Sequence, residues 1–538
     1  MRRSTVRAFS ATLAAASVAS GALWVAGSVR GQGPSTRDAS GFVTESWAAA
    51  TLRSSPATKT ASVRRGGTPA RAPATGTSSS SSSSKPVRGP SSPAPPLGAS
   101  FLGLLDDQSS FPPDVDGAVG PNHVMTALNT QVQVQSRSGA IVGPAVSISA
   151  FWSSIDPTAQ PFDPHVVYDA AAGRWIFTAA GNVQTSSSEI LVAVSQTSDP
   201  TGSWSKWKFR TDPTGTNWAD YDQVGFNRDW IVVTMNLYGV ASGNFAESQL
   251  FVFQKSLLYA GAMNPSPAVF TTPNFSLTPA RTYDAIDTVY TLASVSPNTL
   301  QIQSVSGPVT APTFNPELDV TAPISWDPQG ANGADFAPQK GSIQKIDAGD
   351  DRIMSLVERG GSLWASHTVF LPAGGPTRSA CQWWQVTPGG TILQHGLLDD
   401  PTATVFYAYP SLAVNANMDA CMGYNAFSAT TFASARYTAH LAQDAPGTMR
   451  TDALLEAGKA SYFKSDGTNN RWGDFSSTVV DPVNDTDFWT LQEYAELPQA
   501  GLDAWGTWWG QVLTPVLPSA FVPSSLGTGF TGIFATTP

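Results

Sequence analysis

A chain of 538 residues is longer than one ordinary domain, although large β folds often use several hundred residues as one unit. Only 13% of its residues are charged, against roughly 25% in typical soluble domains. Its 17 Trp, 46 Gly and 41 Pro are typical of a β-rich extracellular protein rather than a helical cytosolic one. Residues 99–538 hold 18 basic and 38 acidic residues. This net charge of −20 argues against nucleic acid as a partner, because phosphate binding needs clustered cations.

The first 96 residues indicate export. Residues 1–30 combine three early Arg with an uncharged stretch over 8–29, the layout of an export signal peptide, and predict a secreted or extracytoplasmic protein. The stretch is also long enough to span a bilayer, so an uncleaved membrane anchor is the alternative. Residues 31–96 are rich in Ser, Pro and Arg and predict a disordered spacer. Residues 97–514 form the globular domain, and 515–538 a Pro/Ser/Gly-rich tail.

A loosely repeated phrase runs through the globular domain. Each copy begins with a polar residue, usually Asp, passes through β-branched residues to a second polar residue, turns, and resumes on an apolar strand. The copies occupy 116–128, 163–179, 220–234, 284–294, 341–356, 409–424 and 473–489. Their starts lie 47 to 68 residues apart. A period of this size indicates a repeat architecture.

Further strands are predicted between the copies. EILVAVSQ (189–196) and WSKWKF (204–209) are of strand length and flank the turn TSDPTG, and KSLLYAG (255–261) reads as a single helical turn. Each unit therefore holds about four antiparallel strands, and such units repeated around an axis make a β-propeller. We predict an all-β propeller of four-stranded blades, with seven blades as the first choice and six or eight as alternatives.

The repeated Asp residues are the candidate functional groups. The first strand of a propeller blade lines the central channel, so the leading polar residues should meet in one acidic axial pocket. Convergent carboxylates there suit acid/base chemistry or Ca²⁺ binding. The candidate catalytic residues are Asp163, Asp220 and Asp474. The candidate ligand-binding residues are Asp116, His165, Asp222, Asp284 and Tyr409.

A purely structural role is the alternative, because Asp readily caps turns and accepts backbone N–H bonds. The second polar residue of a copy falls in the turn between the first two strands and is expected to hold that turn. These turn residues are Asp169, Asn227, Asn415 and Asp481.

The stretch TSDPTGSW (197–204) resembles the Asp-box of sialidases and related propeller glycosidases, with Ser198, Asp199, Gly202 and Trp204 in the motif positions. The resemblance implies a turn between outer strands of a propeller and no chemistry at the motif itself. The segment 471–494 likewise resembles a recurrent segment of secreted bacterial propeller proteins. The sialidase site needs an arginine triad, and the Arg residues near the copies are Arg281 and Arg471.

Three functions remain open. The first is an exported, monomeric propeller that binds a glycan or other extracellular or cell-surface ligand at the acidic axial pocket. The second is a glycoside hydrolase or lyase that uses paired carboxylates there. The third is a non-catalytic propeller that docks a protein partner through an exposed apolar patch. Cys381 and Cys421, the only cysteines, either form one disulfide or stay as buried thiols.

Overall fold

The computed structural model describes residues 34–54 and 92–515, which form an all-β structure. The strands of the first half are β1 (Ser35–Thr36), β2 (Gly41–Ser46), β3 (Leu97–Leu105), β4 (Asp116–Val119), β5 (His123–Ala127), β6 (Gln131–Ser136), β7 (Val146–Ser147), β8 (Pro161–Asp169), β9 (Arg174–Gly181), β10 (Glu189–Ser195), β11 (Ser203–Arg210), β12 (Asn217–Phe226), β13 (Trp230–Gly239), β14 (Phe245–Gln254) and β15 (Ala268–Thr272).

The second half continues the pattern. Its strands are β16 (Thr278–Pro279), β17 (Arg281–Thr282), β18 (Val289–Ser296), β19 (Thr299–Ser306), β20 (Thr313–Thr321), β21 (Ile353–Arg359), β22 (Ser362–Leu371), β23 (Arg378–Val386), β24 (Ile392–Leu398), β25 (Val405–Val414), β26 (Ala420–Ser428), β27 (Thr431–His440), β28 (Ala453–Glu456), β29 (Ser477–Val480), β30 (Phe488–Gln499) and β31 (Leu502–Val512). The short helices are α1 (Trp47–Arg53), α2 (Ile148–Trp152), α3 (Lys255–Tyr259) and a 3-10 turn at Ala331–Gly333.

These strands form a propeller arrangement of four-stranded sheets, which confirms the predicted fold. Five sheets are separate, with strand orders β4-β5-β6-β7, β8-β9-β10-β11-β2, β16-β18-β19-β20, β25-β26-β27-β28 and β29-β30-β31-β3. The sixth has ten strands in the order β1-β15-β14-β13-β12-β17-β21-β22-β23-β24. The first strands contact one another in a closed circuit, β4 to β8, β12, β16, β21, β25, β29 and back to β4. The seven-bladed count stays a prediction.

The sheets are buried on both faces because each packs between two neighbours. In β10, Leu191 and Ala193 belong to a core shared with the sheet of β4–β7. The alternate residues Ile190, Val192 and Val194 belong to a second core, shared with β12–β14. Successive side chains of a strand point to opposite faces, so a continuous apolar run supplies both cores at once.

The ring of sheets is closed by the two ends of the domain. β3, the first strand after residue 92, pairs antiparallel with β31, the last strand, and becomes the outer strand of the sheet of β29–β31. The buried hydroxyl of Thr507 accepts a hydrogen bond of 2.8 Å from the Leu104 N–H and donates one of 3.1 Å to the Leu104 carbonyl. The N-terminal strand therefore completes the C-terminal sheet.

Part of the predicted spacer is folded, so the prediction of disorder over 31–96 is wrong for residues 35–54, which we call the strap. Its strand β2 pairs with β11 and its strand β1 pairs with β15. The Phe42 ring lies 5.4 Å from the Trp207 ring, and Trp47 is buried against Phe151. These apolar residues, diluted in the Ser/Pro-rich average, give the strap enough surface to bury.

The predicted export signal over 1–30, the rest of the spacer over 55–91 and the tail from residue 516 lie outside the described residues. Within 34–54 and 92–515, no helix has both the length and the apolar character needed to cross a membrane.

Candidate functional site

The leading residues of several copies share one backbone geometry. Asp163, Tyr221 and Tyr409 have positive φ angles of 50°, 57° and 56°. Each lies where the first strand of its sheet has a β-bulge. Their N–H groups donate to side chains of the neighbouring sheet: to Asn129 Oδ1 at 2.7 Å, to Asp163 Oδ2 at 3.0 Å and to Thr368 Oγ1 at 3.0 Å, in that order. The Asp163 carboxylate therefore joins two adjacent sheets.

Asp474 follows the same rule, because its N–H donates to Oδ1 of Asp114 at 2.8 Å. Its carboxylate also forms an ion pair of 3.1 Å with Arg471. The structural alternative for the repeated Asp is thus realised at Asp163, and Asp114, which precedes the first copy, accepts the Asp474 N–H in the same way. The turn residues also behave as predicted: Asp169, Asn227, Asn415 and Asp481 each accept a backbone N–H bond within their own turn.

The axial end that carries these residues is closed. Two covering segments, 322–352 and 457–476, place Gly349, Asp350 and Asp474 on the wall of the cavity beside Tyr221 and Tyr409. The cavity volume is about 10 Å³, which is roughly the room one water molecule needs. The pockets that bind small molecules usually have volumes of roughly 300–1,000 Å³. An open acidic pocket at this end was expected, and the structure instead shows buried carboxylates.

Burial changes the protonation of this group. Asp163 is only 4% exposed, and Asp220 and Asp474 beside it are 3% exposed. Burial first, and then the neighbouring carboxylates of Asp114, Asp220 and Asp474, raise the pKa of Asp163 well above its usual range. The raised pKa favours the protonated form of Asp163, and its Oδ2 atom already accepts the Tyr221 N–H. A carboxyl held in this way serves structure better than it serves nucleophilic or basic catalysis.

A second group of buried polar side chains contains Asp116, His165 and Asp222. The Nδ1 atom of His165 lies 2.5 Å from Oδ2 of Asp116, and the other oxygen of Asp116 accepts the Gly117 N–H at 2.6 Å. His165 is 2% exposed, and its Nε2 atom has no hydrogen-bond partner among the described residues. The Phe475 ring packs edge-on against the imidazole at 4.5 Å. Asp116 thus orients the imidazole through Nδ1, whereas Nε2 makes no hydrogen bond with a described residue.

Asp222 has an unused atom of its own. Its Oδ2 accepts a hydrogen bond of 3.1 Å from the Thr178 hydroxyl, whereas its buried Oδ1 has no partner among the described residues. Burial raises the pKa of Asp222 to about 7, although the nearby His165 opposes that shift. Burial also lowers the pKa of His165, but its hydrogen bond to Asp116 and the charges of Asp116 and Asp222 outweigh burial and raise it. The raised pKa shifts His165 toward the form with a proton on both nitrogens.

Arg281 is the functional candidate that the repeated phrase did not identify. It lies on β17, level with Phe226 and Val357, and its guanidinium reaches within 3.6 Å of Asp116. Its side chain is 20% exposed. The fourth copy was aligned on Asp284 because Pro279 splits this first strand into β16 and β17. A search for Arg on first strands would have found it.

Asp284 does not join either group, so its predicted place in the axial pocket is wrong. It follows β17 in the turn beyond the strand, where it accepts the Gly361 N–H at 3.0 Å. Asp284 also bonds the side chain of Glu358. Burial first, and then Asp284, raise the pKa of Glu358 to about 7.

The two cysteines are not bonded to each other. Cys381 lies on β23 and Cys421 on β26, and both are free and fully buried. Burial raises the pKa of each thiol. The structure therefore shows two buried thiols rather than a disulfide.

Within the described ranges, no group of three or more His, Cys, Asp or Glu side chains is placed to hold a metal ion. The convergence expected for Ca²⁺ would need several carboxylate oxygens free to face one point. At least Asp163 and Asp116 use theirs for backbone and imidazole contacts instead.

No protein-family model matches this chain, and no curated protein matches it. Among solved structures it is similar to a Synechocystis apocarotenoid oxygenase mutant, with 10% identity, a TM-score of 0.37, and coverage of 63% of this chain and 74% of the other. A Hadza microbial sialidase shows 12% identity, a TM-score of 0.33 and coverage of 72% and 73%. Similarities this weak carry no inference about activity.

Proposed function

We propose that this chain is an exported β-propeller that binds an extracellular glycan in its axial channel, at Asp116, His165, Asp222 and Arg281. The observation that carries the proposal is a pair of buried polar atoms without hydrogen-bond partners among the described residues, His165 Nε2 and Asp222 Oδ1. Beside them lies the partly exposed guanidinium of Arg281, which forms an ion pair of 3.6 Å with Asp116. Buried polar atoms normally have hydrogen-bond partners, so a coupled group of unused ones indicates a binding function.

The local charge favours an acidic glycan. The Arg281 guanidinium and the imidazole of His165, whose pKa is raised, lie beside Asp116 in this group, although residues 99–538 as a whole carry −20. Hydroxyl groups of a sugar can accept from the imidazolium and donate to Asp222, and a carboxylate on the sugar can accept from the guanidinium. The ligand is reached through the side of the channel where Arg281 is exposed.

The channel itself follows from a count of seven blades. We count the ten-stranded sheet as two blades, β12–β15 and β21–β24, joined through the two-residue strand β17. The circuit of first strands supports this count. Secretion, a monomeric state and the absence of stable membrane insertion after cleavage of the leader belong to the same proposal, and rest on the sequence of residues 1–30.

A matched pair of variants tests the binding site. Wild type, Arg281→Ala and Arg228→Ala are compared on a glycan array and by calorimetry with any hit. Arg228 is a control because its side chain is 55% exposed and pairs with Asp229 away from the channel. We expect Arg281→Ala to weaken binding at least tenfold and Arg228→Ala to leave it unchanged. Equal affinities for all three proteins would refute the channel as the site.

A polysaccharide lyase is the second candidate, favoured by the 2.5 Å contact between Asp116 and His165. A carboxylate that orients an imidazole with its far nitrogen unused is the arrangement of a general acid or base. A hydrolase based on Asp163 and Asp474 is disfavoured, because Asp163 accepts a backbone N–H and Asp474 pairs with Arg471. Release of unsaturated sugar ends by the wild type and not by His165→Gln would establish the lyase.

A partner-docking propeller is the third candidate. The groove between Thr321–Pro323 and Ile392–His395 has a volume of about 590 Å³, and Leu393 on its rim is 51% exposed. Substitution of Leu393 by Asp should abolish capture of a protein partner while leaving glycan binding intact. The opposite result would favour the channel.

A further inference from the structure

Three charged or titratable side chains, Lys208, Glu189 and Asp156, lie close together at the outer part of one sheet. Lys208 is on β11, Glu189 is on the neighbouring strand β10, and Asp156 is in the turn after α2. The Lys208 Nζ atom lies 2.7 Å from Oδ2 of Asp156 and 3.9 Å from Oε2 of Glu189. Glu189 also forms a side-chain hydrogen bond with Asp156. An amine, a carboxylate and a second carboxyl group are therefore in mutual contact.

The third member, Glu189, has no evident structural partner for its second oxygen. The residue is 3% exposed, and its Oε1 atom is buried without a hydrogen-bond partner among the described residues. Burial, the largest effect, and the charge of Asp156 raise the pKa of Glu189 to about 7, against the attraction of Lys208. Burying a carboxyl group that has one oxygen without a hydrogen-bond partner costs free energy. A role for Glu189 in proton transfer would explain why such a group is placed beside the Lys208–Asp156 pair.

The surroundings shield the three groups. The Asp156 side chain is 9% exposed and that of Lys208 is 21% exposed. The strap runs over the lysine, with Gly41 directly opposite Lys208 in the β2–β11 pairing. A side chain at position 41 would meet the stem of Lys208 and the Ile155 side chain at 3.2–3.3 Å, so glycine keeps this approach open.

We propose that Lys208 and Asp156 condense to an intramolecular amide, with Glu189 as the catalytic proton relay. The bond would tie the turn after α2 covalently to β11. Such a cross-link is independent of the ligand proposed for the channel, and it would stabilise an exported chain whose two cysteines stay unpaired.

The reaction balances without any other reactant. In the resting ion pair, hydrogen bonds from Lys208 and Thr158 keep the pKa of Asp156 below its usual range in spite of burial. Transfer of the ammonium proton to Asp156 gives an amine and a carboxylic acid. The Lys208 nitrogen then forms a bond to Cγ of Asp156. Glu189 gives its proton to the departing hydroxyl and takes one from the nitrogen, so the C–O bond breaks, one water leaves and Glu189 is regenerated.

The same strand contains an internal control. Lys206, two residues earlier on β11, has its Nζ atom 2.8 Å from Oε2 of Glu45, a contact as close as that of Lys208 with Asp156. The charges that act on Lys206 are those of Glu45 and Arg53, with no second carboxyl group. If proximity alone formed amides, both lysines would react. If the relay is needed, only Lys208 reacts.

Intact-mass and peptide mass spectrometry of the full-length protein tests the proposal. We expect a mass one water below that of the sequence, and a branched tryptic species that joins residues 138–174 to residues 207–210. Trypsin should not cut after Lys208 but should cut after Lys206. A full-sequence mass with cleavage after Lys208 would overturn the proposal, and this readout needs no variant.

Two variants separate the roles. Glu189→Gln should restore the lost water, because the amide of Gln cannot relay a proton, while the Lys208–Asp156 ion pair still holds the fold. Lys208→Arg should show the full mass of its own sequence. A link that persists in Glu189→Gln would refute the relay, and water loss that persists in Lys208→Arg would place the modification elsewhere.

Discussion

The pair of Glu45 and Lys206 offers a direct measure of what holds the strap to the propeller. Lys206 is 1% exposed, with its Nζ atom 2.8 Å from Glu45 and 3.9 Å above the Phe151 ring. Glu45→Ala would leave this ammonium buried without its counter-ion. Loss of one member of a buried pair costs about 3–5 kcal/mol. Glu45 also pairs with Arg53, but that side chain is 36% exposed and adds at most about 1 kcal/mol.

Two further variants make the reasoning quantitative. Glu45→Gln keeps a hydrogen-bond acceptor and should cost less, about 1.5–3 kcal/mol. In the double variant Glu45→Ala/Lys206→Met the buried charge is gone as well, so stability should return to within about 1 kcal/mol of wild type. The free energy of unfolding is obtained from urea titrations followed by Trp fluorescence, and the strap is followed by hydrogen exchange of the amides in 41–46.

Equal stabilities for wild type and Glu45→Ala, with protected amides in 41–46, would refute the claim that the pair stabilises the strap. If Glu45→Ala left the free energy of unfolding unchanged but the amides in 41–46 exchanged rapidly, a different claim would be refuted, namely that the strap unfolds together with the whole domain. In that case the strap detaches and Lys206 regains water, so the cost is limited to the free energy of strap docking.

Three further predictions concern the interior. Asp163→Asn should cost less than Asp163→Ala, because the amide oxygen can still accept the Tyr221 N–H and burial already disfavours a charged carboxylate there, whereas Asp163→Ala should cost about 1–3 kcal/mol by leaving that N–H without an acceptor; urea unfolding distinguishes them. The pKa of Asp222 is raised to about 7 in the fold, so its contribution is fully present below the unfolded value near 4 and is lost as the pH rises through 7. The melting temperature should therefore fall between about pH 4 and pH 7 and level off above that range, and Asp222→Asn should flatten the fall. Cys381 and Cys421 should resist a thiol reagent in the native protein and react only after unfolding, because both are buried with raised pKa values; labelling followed by mass spectrometry checks this.

Local periodicity predicted much of the fold. The runs at 189–196 and 204–209 became β10 and β11 with ends shifted by one residue, and the helical turn at 255–261 became α3. The hydrophobic pattern of each of these elements is visible within about ten residues of sequence. The propeller followed because the repeated phrase recurs at the first two strands of most sheets.

The errors arose where tertiary structure overrides the local pattern. Asp284 was misplaced because the fourth first strand is interrupted at Pro279. The fifth copy was placed on 341–356, of which 341–352 lie in a covering segment and only 353–356 lie in β21. The closed axial end depends on segments 322–352 and 457–476, which have no periodicity to read. Arg281 and Asp116 are 165 positions apart in the sequence and belong to different sheets, so no local sequence pattern predicts their contact.

The pairing of β3 with β31 also has a consequence for synthesis and translocation. The hydrogen bonds between Leu104 and Thr507 join residues 403 positions apart. For the exported chain that we propose, threaded through a membrane N-terminus first, β3 emerges early and waits for its partner until nearly the whole polypeptide has followed. Contacts this distant form slowly, so the chain stays unfolded enough to be threaded and its sheet edges stay unpaired for that time. Truncation of the last strand should accordingly produce a chain that is exported but cannot close its ring.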